Sequence, residues 1–445
     1  MDLSAIAVIA AIAAAIFVSI GIVQNNVLML AAATAVAFAI TLPVEVSLGL
    51  FAILVPFDQI LVLGDSGVTL TWIAGAFAGA TLILYGMVSG RFRFPPHQAL
   101  CWGLFVLWAA ASVVWANDPS ASLAHLPTVV SLFAVYIVAA SFQITERELS
   151  RITLLAIVGG IVAASMVIFQ FAHDIDIEGR ATLVLGQLQS NPNDLAGSLL
   201  LPFSLAIGCG LLRGSRLKRT AMSAALGLIT TSIFLLMSRG ALIALATIVL
   251  VYMFRVGIRK RIFVSILVLA IPLLFIPDLF YQRLAEAPSG RGTGRYDIWL
   301  VALQMIKRHT IIGIGLANFT VAYPNVSGYA RVFRYYVHQT HNMYLQVCAE
   351  LGAVGLVLFL AAIWLQMRAV RSRLAISTHS SREHSIVAIE AGFWGLLVMG
   401  MSGDIEWHKA FWFSLILLAL ITQKRLEPQG NTSWAAWEWR RSQTA

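Results

Sequence analysis

Apolar runs of about twenty residues, separated by short polar breaks, repeat along the chain from Leu3 to Thr422. About twenty residues in helical form cover the thickness of a bilayer's hydrocarbon core. The runs fall at 4–23, 27–43, 46–63, 70–89, 98–116, 122–142, 150–171, 195–212, 219–237, 240–256, 262–277, 344–367, 387–402 and 408–422. Pro43, Glu45, Pro56 and Asp58 interrupt the second and third. One or two runs are therefore expected to be short or re-entrant, leaving about 12 true spans. No stretch shows the short alternating segments of a membrane barrel. The predicted fold is an all-α polytopic membrane protein.

One segment breaks the pattern. Residues 280–342 form a long polar stretch carrying Arg283, Arg291, Arg295, Lys307, Arg308, Arg331 and Arg334, and it ends in His338-Gln339-Thr340-His341-Asn342. Inside it Tyr296, Trp299, Leu300, Leu303 and Ile306 recur at helical spacing, which predicts an amphipathic surface helix over 296–308. Gly313-Ile314-Gly315 ends it, and Tyr323, Tyr329, Phe333, Tyr335 and Tyr336 supply an aromatic stretch suited to a membrane interface. The expected divisions are 1–149 (N-terminal transmembrane helices), 150–279 (transmembrane helices with arginine-bearing loops), 280–343 (a large, partly helical loop), 344–423 (C-terminal transmembrane helices) and 424–445 (a tail).

Composition excludes a soluble protein. Hydrophobic residues make up 59% and charged residues 11%, against about 45–50% and about 25% in soluble domains. The first apolar run has no basic residues before it and no clear cleavage site after it, so it reads as a retained span. Cys101, Cys209 and Cys348 lie in or beside apolar runs without metal spacing, as small core residues do.

Charge fixes the expected topology. With a cytoplasmic N-terminus, 20 of the 30 basic residues fall in short clusters on one side, as the positive-inside rule requires, and both termini are cytoplasmic. The other ten are Arg180, Arg239, Lys409 and the seven of the long loop. The net charge of +9 is mostly this ordinary bias and does not imply nucleic acid.

The opposite face thus concentrates cations in the second half of the chain. Arg180 precedes Gly186 and Asn191-Pro192-Asn193-Asp194. Arg239 occupies the tight turn Ser238-Arg239-Gly240, and Arg291 and Arg295 flank Gly292 and Gly294. Guanidinium groups make paired, charge-assisted bonds to phosphate oxygens, so these four suit a pyrophosphate clamp; singly, each also suits snorkelling to headgroups. His338 and His341, three apart, share a face if helical. They read as a general base, as a metal pair lacking its third ligand, or as plain interfacial histidines. Asp174-Ile175-Asp176-Ile177-Glu178 is an acidic run that suits a solvated loop better than a metal site.

Taken in order, Arg180, Gly186 and Asn191-Pro192-Asn193, then Ser238-Arg239-Gly240, then Arg295 and Trp299, then Gly313-Ile314-Gly315, then His341-Asn342-Met343-Tyr344-Leu345 with Glu350-Leu351-Gly352 and Gly355, resemble the bacterial O-antigen ligase superfamily. That superfamily also holds O-antigen polymerases and O-linked protein oligosaccharyltransferases. The resemblance covers residues 150–400. It implies a GT-C-like glycosyltransferase of the bacterial inner membrane with a periplasmic active site. The implied reaction transfers O-antigen polysaccharide from undecaprenyl pyrophosphate to the lipid A–core oligosaccharide, with inversion and with no metal or other cofactor. Carried onto this chain, His338 is the expected base, with His341 beside it as orienter or acceptor contact. Arg180, Arg239, Arg291 and Arg295 would hold the pyrophosphate, and Asn191, Asn193 and Asn342 would contact donor or glycan. The same motifs serve a polymerase or a protein oligosaccharyltransferase, although protein-directed members often carry an extra C-terminal region. A lipid-linked anion transporter or flippase is the reading from another class. Glu390 is the one clear mid-span carboxylate, and no paired broken helices favour it.

Overall fold

A computed structural model describes residues 43–63, 68–177, 179–212, 215–256, 295–329, 339–376 and 380–423. The runs predicted at 4–23 and 262–277, nearly all of 27–43, the tail, Arg291 and His338 lie outside these residues.

The described residues are mostly helical. Their α-helices are α1 (Val44–Leu54), α2 (Leu70–Ser89), α3 (His97–Ala111), α4 (Pro119–Ala140), α5 (Glu146–Phe171), α6 (Pro192–Leu205), α7 (Arg216–Leu235), α8 (Arg239–Val256), α9 (Arg295–Arg308), α10 (Phe319–Val326), α11 (Met343–Ile376), α12 (Ser380–Met399) and α13 (Lys409–Thr422). Between α5 and α6 two small antiparallel hairpins pair Asp176–Ile177 with Arg180–Ala181 and Val184–Leu185 with Leu188–Gln189. Among the described residues six helices are long and apolar enough to cross a bilayer: α2, α3 with its extension to Val114, α4, α5, α8 and α11. The interruption expected near Pro56 is present, since α1 tightens into a 3-10 turn at Val55–Phe57 and stops. Elsewhere α2 opens on Thr69, whose hydroxyl accepts from Trp72 N, and closes on Gly90 at φ 65°. A Thr145–Glu148 capping box opens α5.

The packing is that of a bundle around one buried helix. From Phe411 to Ile421 every residue of α13 is buried, as expected of a helix that is apolar on all sides. Trp102 meets Phe105, Phe359, Phe411 and Trp412 at ring-centroid distances of 5.6–6.1 Å around it. On its other flanks α8 packs along α12, α1 along α5 and α3 along α11. The mid-span Glu390 is fully buried, and Arg255 Nη2 (2.5 Å) and Nε (3.1 Å) satisfy it in a two-pronged pair. A buried carboxylate needs such a partner.

Interloop contacts sort the helix ends into two groups. At one end Lys409 Nζ meets Asp58 (2.6 Å), Gln59 meets Asp194 (2.8 Å), Asn117 N meets Ile314 O (3.0 Å) and Met343 N meets Gly400 O (2.7 Å). At the other end Arg91 pairs with Glu148 (2.8 Å), Arg93 N with Ser141 O (2.8 Å) and Arg373 with Gln423 O (2.9 Å), and Arg151 pairs with Glu45. Each of these contacts joins loops that the charge pattern assigns to one side.

The helix expected over 296–308 is α9, and the protein covers the face opposite Tyr296 and Leu303. Ile298, Val301, Ala302 and Met305 are buried, whereas Tyr296 and Leu303 are exposed. The reason is a small core of the loop's own. Those four pack with Ile314, Phe319, Ala322, Tyr323 and Val326 against Ala349 of α11. Residues 310–315 are then stitched to a break in α11 at Gly352 (φ 68°, ψ −171°). Ile314 N donates to Ala349 O (3.1 Å), Gly315 N to Glu350 O (2.8 Å) and Ala353 N to Thr310 O (2.8 Å). A β-carbon at Gly352 would overlap Ile311 O and Gly313 N. Gly352→Ala is therefore expected to destabilise the fold by about 1–3 kcal/mol through backbone conformation alone, and further through overlap. Thermal unfolding and yield in detergent should both fall; unchanged values would show that the loop is not anchored there.

Candidate active site

Arg239 begins α8 after a turn in which Met237 takes φ 50° and Ser238 is buried. Arg180 braces that turn from behind. Its Nε (3.2 Å) and Nη2 (2.8 Å) donate to Leu236 O at the end of α7, and Nη2 donates to Asn193 Oδ1 (3.1 Å). Asn191 caps α6, its side-chain oxygen accepting from Asn193 N (2.9 Å). Gly240 lets α8 approach the loop after α12, where a β-carbon would overlap Ser402 Oγ.

Arg295 opens α9 and faces Arg239. Burial and the nearby charge of Arg239 pull its guanidinium below the ordinary arginine value, while Asp404 acts in the opposite direction. The two arginines line one cavity of about 680 Å³ with Gly240, Ile243, Tyr296, Asp297, Trp299, Leu300, Met401 and Ser402. Two cations face each other there beside one buried carboxylate, Asp297, a balance that favours an anion. Arg180 stands outside this lining, behind the α7–α8 turn.

The histidine turn adjoins the same cavity. Trp299 Nε1 donates to Thr340 O (3.0 Å), and Asn342 Nδ2 donates to Met401 O (3.3 Å). Asn342 also caps α11, its Oδ1 accepting from Tyr344 N and Leu345 N at 3.1 Å each. His341 adopts φ 51°, a conformation that a non-glycine residue keeps only when its surroundings hold it there. Asp404, in the short loop between α12 and α13, supplies that hold. It accepts from Thr340 Oγ1 (2.6 Å), His341 N (2.8 Å) and Asn342 N (2.9 Å). Its Oδ2 lies 3.7 Å from His341 Nδ1, and the imidazole is about one-third exposed. Asp404 is the residue of this candidate site that the sequence reading passed over. Its signal was an acid in a very short loop on the face that carries the histidines.

Glu406, two residues on, is buried, and among the described residues its Oε2 has no hydrogen-bond partner. Burial, then the charges of Asp404 and Glu350, push its carboxyl well above the usual carboxylate range. The unfolded chain would ionise it at about 4.3. The acid thus contributes stability below that pH and loses it as pH rises toward the raised folded value. Glu406→Gln should accordingly flatten the fall of thermal stability with rising pH in detergent; a variant whose profile parallels the parent would refute a neutral Glu406.

Among the described residues no three His, Cys, Asp or Glu side chains gather as a metal set. Asp176 Oδ1 instead accepts from Gly179 N (2.9 Å), closing the hairpin turn.

No curated protein matches the chain. Residues 224–360 match the family model described as O-antigen ligase. That stretch carries Arg239, Arg295, Trp299 and His341, and its match supports a protein of the O-antigen ligase family.

Proposed function

We propose that this protein is an inverting glycosyltransferase of the bacterial inner membrane, working on its periplasmic face. It transfers an O-antigen polysaccharide from undecaprenyl pyrophosphate to the lipid A–core oligosaccharide. The observation that carries this reading is the meeting of Arg239 and Arg295 on one cavity whose wall holds the histidine turn. The arginines hold the pyrophosphate and stabilise the charge that grows on it as the C1–O bond breaks, which is electrostatic stabilisation of the transition state. The acceptor hydroxyl attacks C1 from the opposite face, and its proton passes to a ring nitrogen of histidine. The Asp404 carboxylate beside Nδ1 favours His341 for that part, with Nε2 taking the proton. His338 would then stand by the acceptor, the reverse of the order expected from the sequence. Pyrophosphate leaves readily once its charge is met, so the proposed chemistry is metal-independent.

Purified protein, lipid-linked donor and lipid A–core acceptor test the reading directly. Transfer that persists in EDTA supports a ligase. Chain extension on the donor alone would make it a polymerase, glycosylated protein would make it an oligosaccharyltransferase, and donor movement without a new bond would make it a transporter.

A further inference from the structure

Thr340 is fully buried, and each of its polar groups is held by a different element. Its N–H donates to Gln346 Oε1 (3.3 Å), its carbonyl accepts from Trp299 Nε1 (3.0 Å), and its hydroxyl donates to Asp404 Oδ1 (2.6 Å). Two of these tethers lead away from the turn. Trp299 lies one helical turn after Arg295 on α9. Gln346 donates to Glu350 Oε1 (2.7 Å), and the oxygens of Glu350 also accept from Ala317 N (2.8 Å) and Phe319 N (3.1 Å) in the floor of the large loop. The next residue in the chain is His341, in its left-handed conformation.

We infer that Trp299 and Gln346 are positioning residues that fix the backbone carrying His341 by holding both peptide faces of Thr340. Trp299 joins that backbone to the helix presenting Arg295, so that the donor-holding group and the base keep one spacing. Gln346 joins it to the loop floor. This rests on the reading of His341 as base. The physical warrant is that a small displacement of a reacting group costs turnover without altering how substrate binds, while an unpaired buried carbonyl or N–H lets the turn shift to find another partner.

Trp299→Phe keeps a ring in the cavity wall and removes the N–H. Gln346→Leu keeps the bulk and removes both tethers on its side. With undecaprenyl pyrophosphate-linked glycan as donor, each is expected to lower kcat about ten-fold with donor KM unchanged. The double variant should fall less than the product of the two, because both act through one residue. Amide hydrogen exchange across residues 340–343 should quicken in both, a readout independent of turnover. Wild-type kcat in both variants overturns the inference. A raised donor KM with intact kcat in Trp299→Phe overturns it too, since Trp299 would then be a donor contact. His341→Ala, assayed alongside, separates the two failures: if it transfers normally, the base assignment is wrong, and quickened exchange alone no longer bears on catalysis.

Discussion

His341→Ala is expected to lower glycan transfer about 10²–10⁴-fold, the usual worth of a positioned general base, while donor affinity stays near that of the parent. The expectation rests on three features of one turn. The imidazole is held in a backbone conformation that costs free energy, the hold is a buried carboxylate, and the turn shares a wall with the arginine cavity. Asp404→Asn should fall nearly as far. An amide there would turn one donor toward groups that are themselves donors, Thr340 Oγ1 with Asn342 N or His341 N, and would remove the charge that favours a protonated ring. His338→Ala is the necessary companion measurement. Were it dead while His341→Ala transferred at the parental rate, the base would be His338 and the Asp404 turn would be scaffolding. Accumulated product per folded enzyme, with expression checked for each variant, decides between them.

The second large effect concerns the arginines. Arg295→Gln and Arg239→Gln are each expected to reduce kcat/KM by about 10²–10³-fold, the cost of removing one preorganised donor to developing charge. Lysine should restore only part of it, because a point charge cannot make the paired bonds of guanidinium to phosphate. The two losses should not multiply, since both groups act on one anion. An Arg295→Gln enzyme with parental kcat/KM would show that the cavity holds something other than the pyrophosphate. Arg180 makes a useful contrast. Its guanidinium is bonded to Leu236 O and Asn193, so its effect is transmitted through the turn that sets Arg239.

The sequence made the helical membrane bundle, the grouping of the described loops at its two ends and the helix over 296–308 legible. These depend on local quantities: run length, charge bias and helical period. It grouped Arg180, Arg239, Arg291 and Arg295 as one clamp; the cavity joins Arg239 and Arg295, its lining leaves out Arg180, and Arg291 lies outside the described residues. It did not reveal which side of α9 the protein itself covers. Periodicity marks Tyr296 and Leu303 as apolar, but it cannot say that Ala349 and Phe319 will cover the opposite side. Asp404 was missed for a related reason. It comes back onto His341 from 63 positions further along the chain, and no spacing rule spans such a distance. The asparagines expected at substrate are also engaged locally, Asn191 and Asn342 as helix caps and Asn193 with Arg180.

The break at Gly352 also couples two parts of the chain. Residues 349–353 exchange backbone hydrogen bonds with residues 310–315, and Asn342 caps the same helix a few residues earlier. A tilt of the first turns of α11 therefore carries the floor of the large loop with it, so the two behave as one lever, and a crosslink that immobilises either should immobilise both.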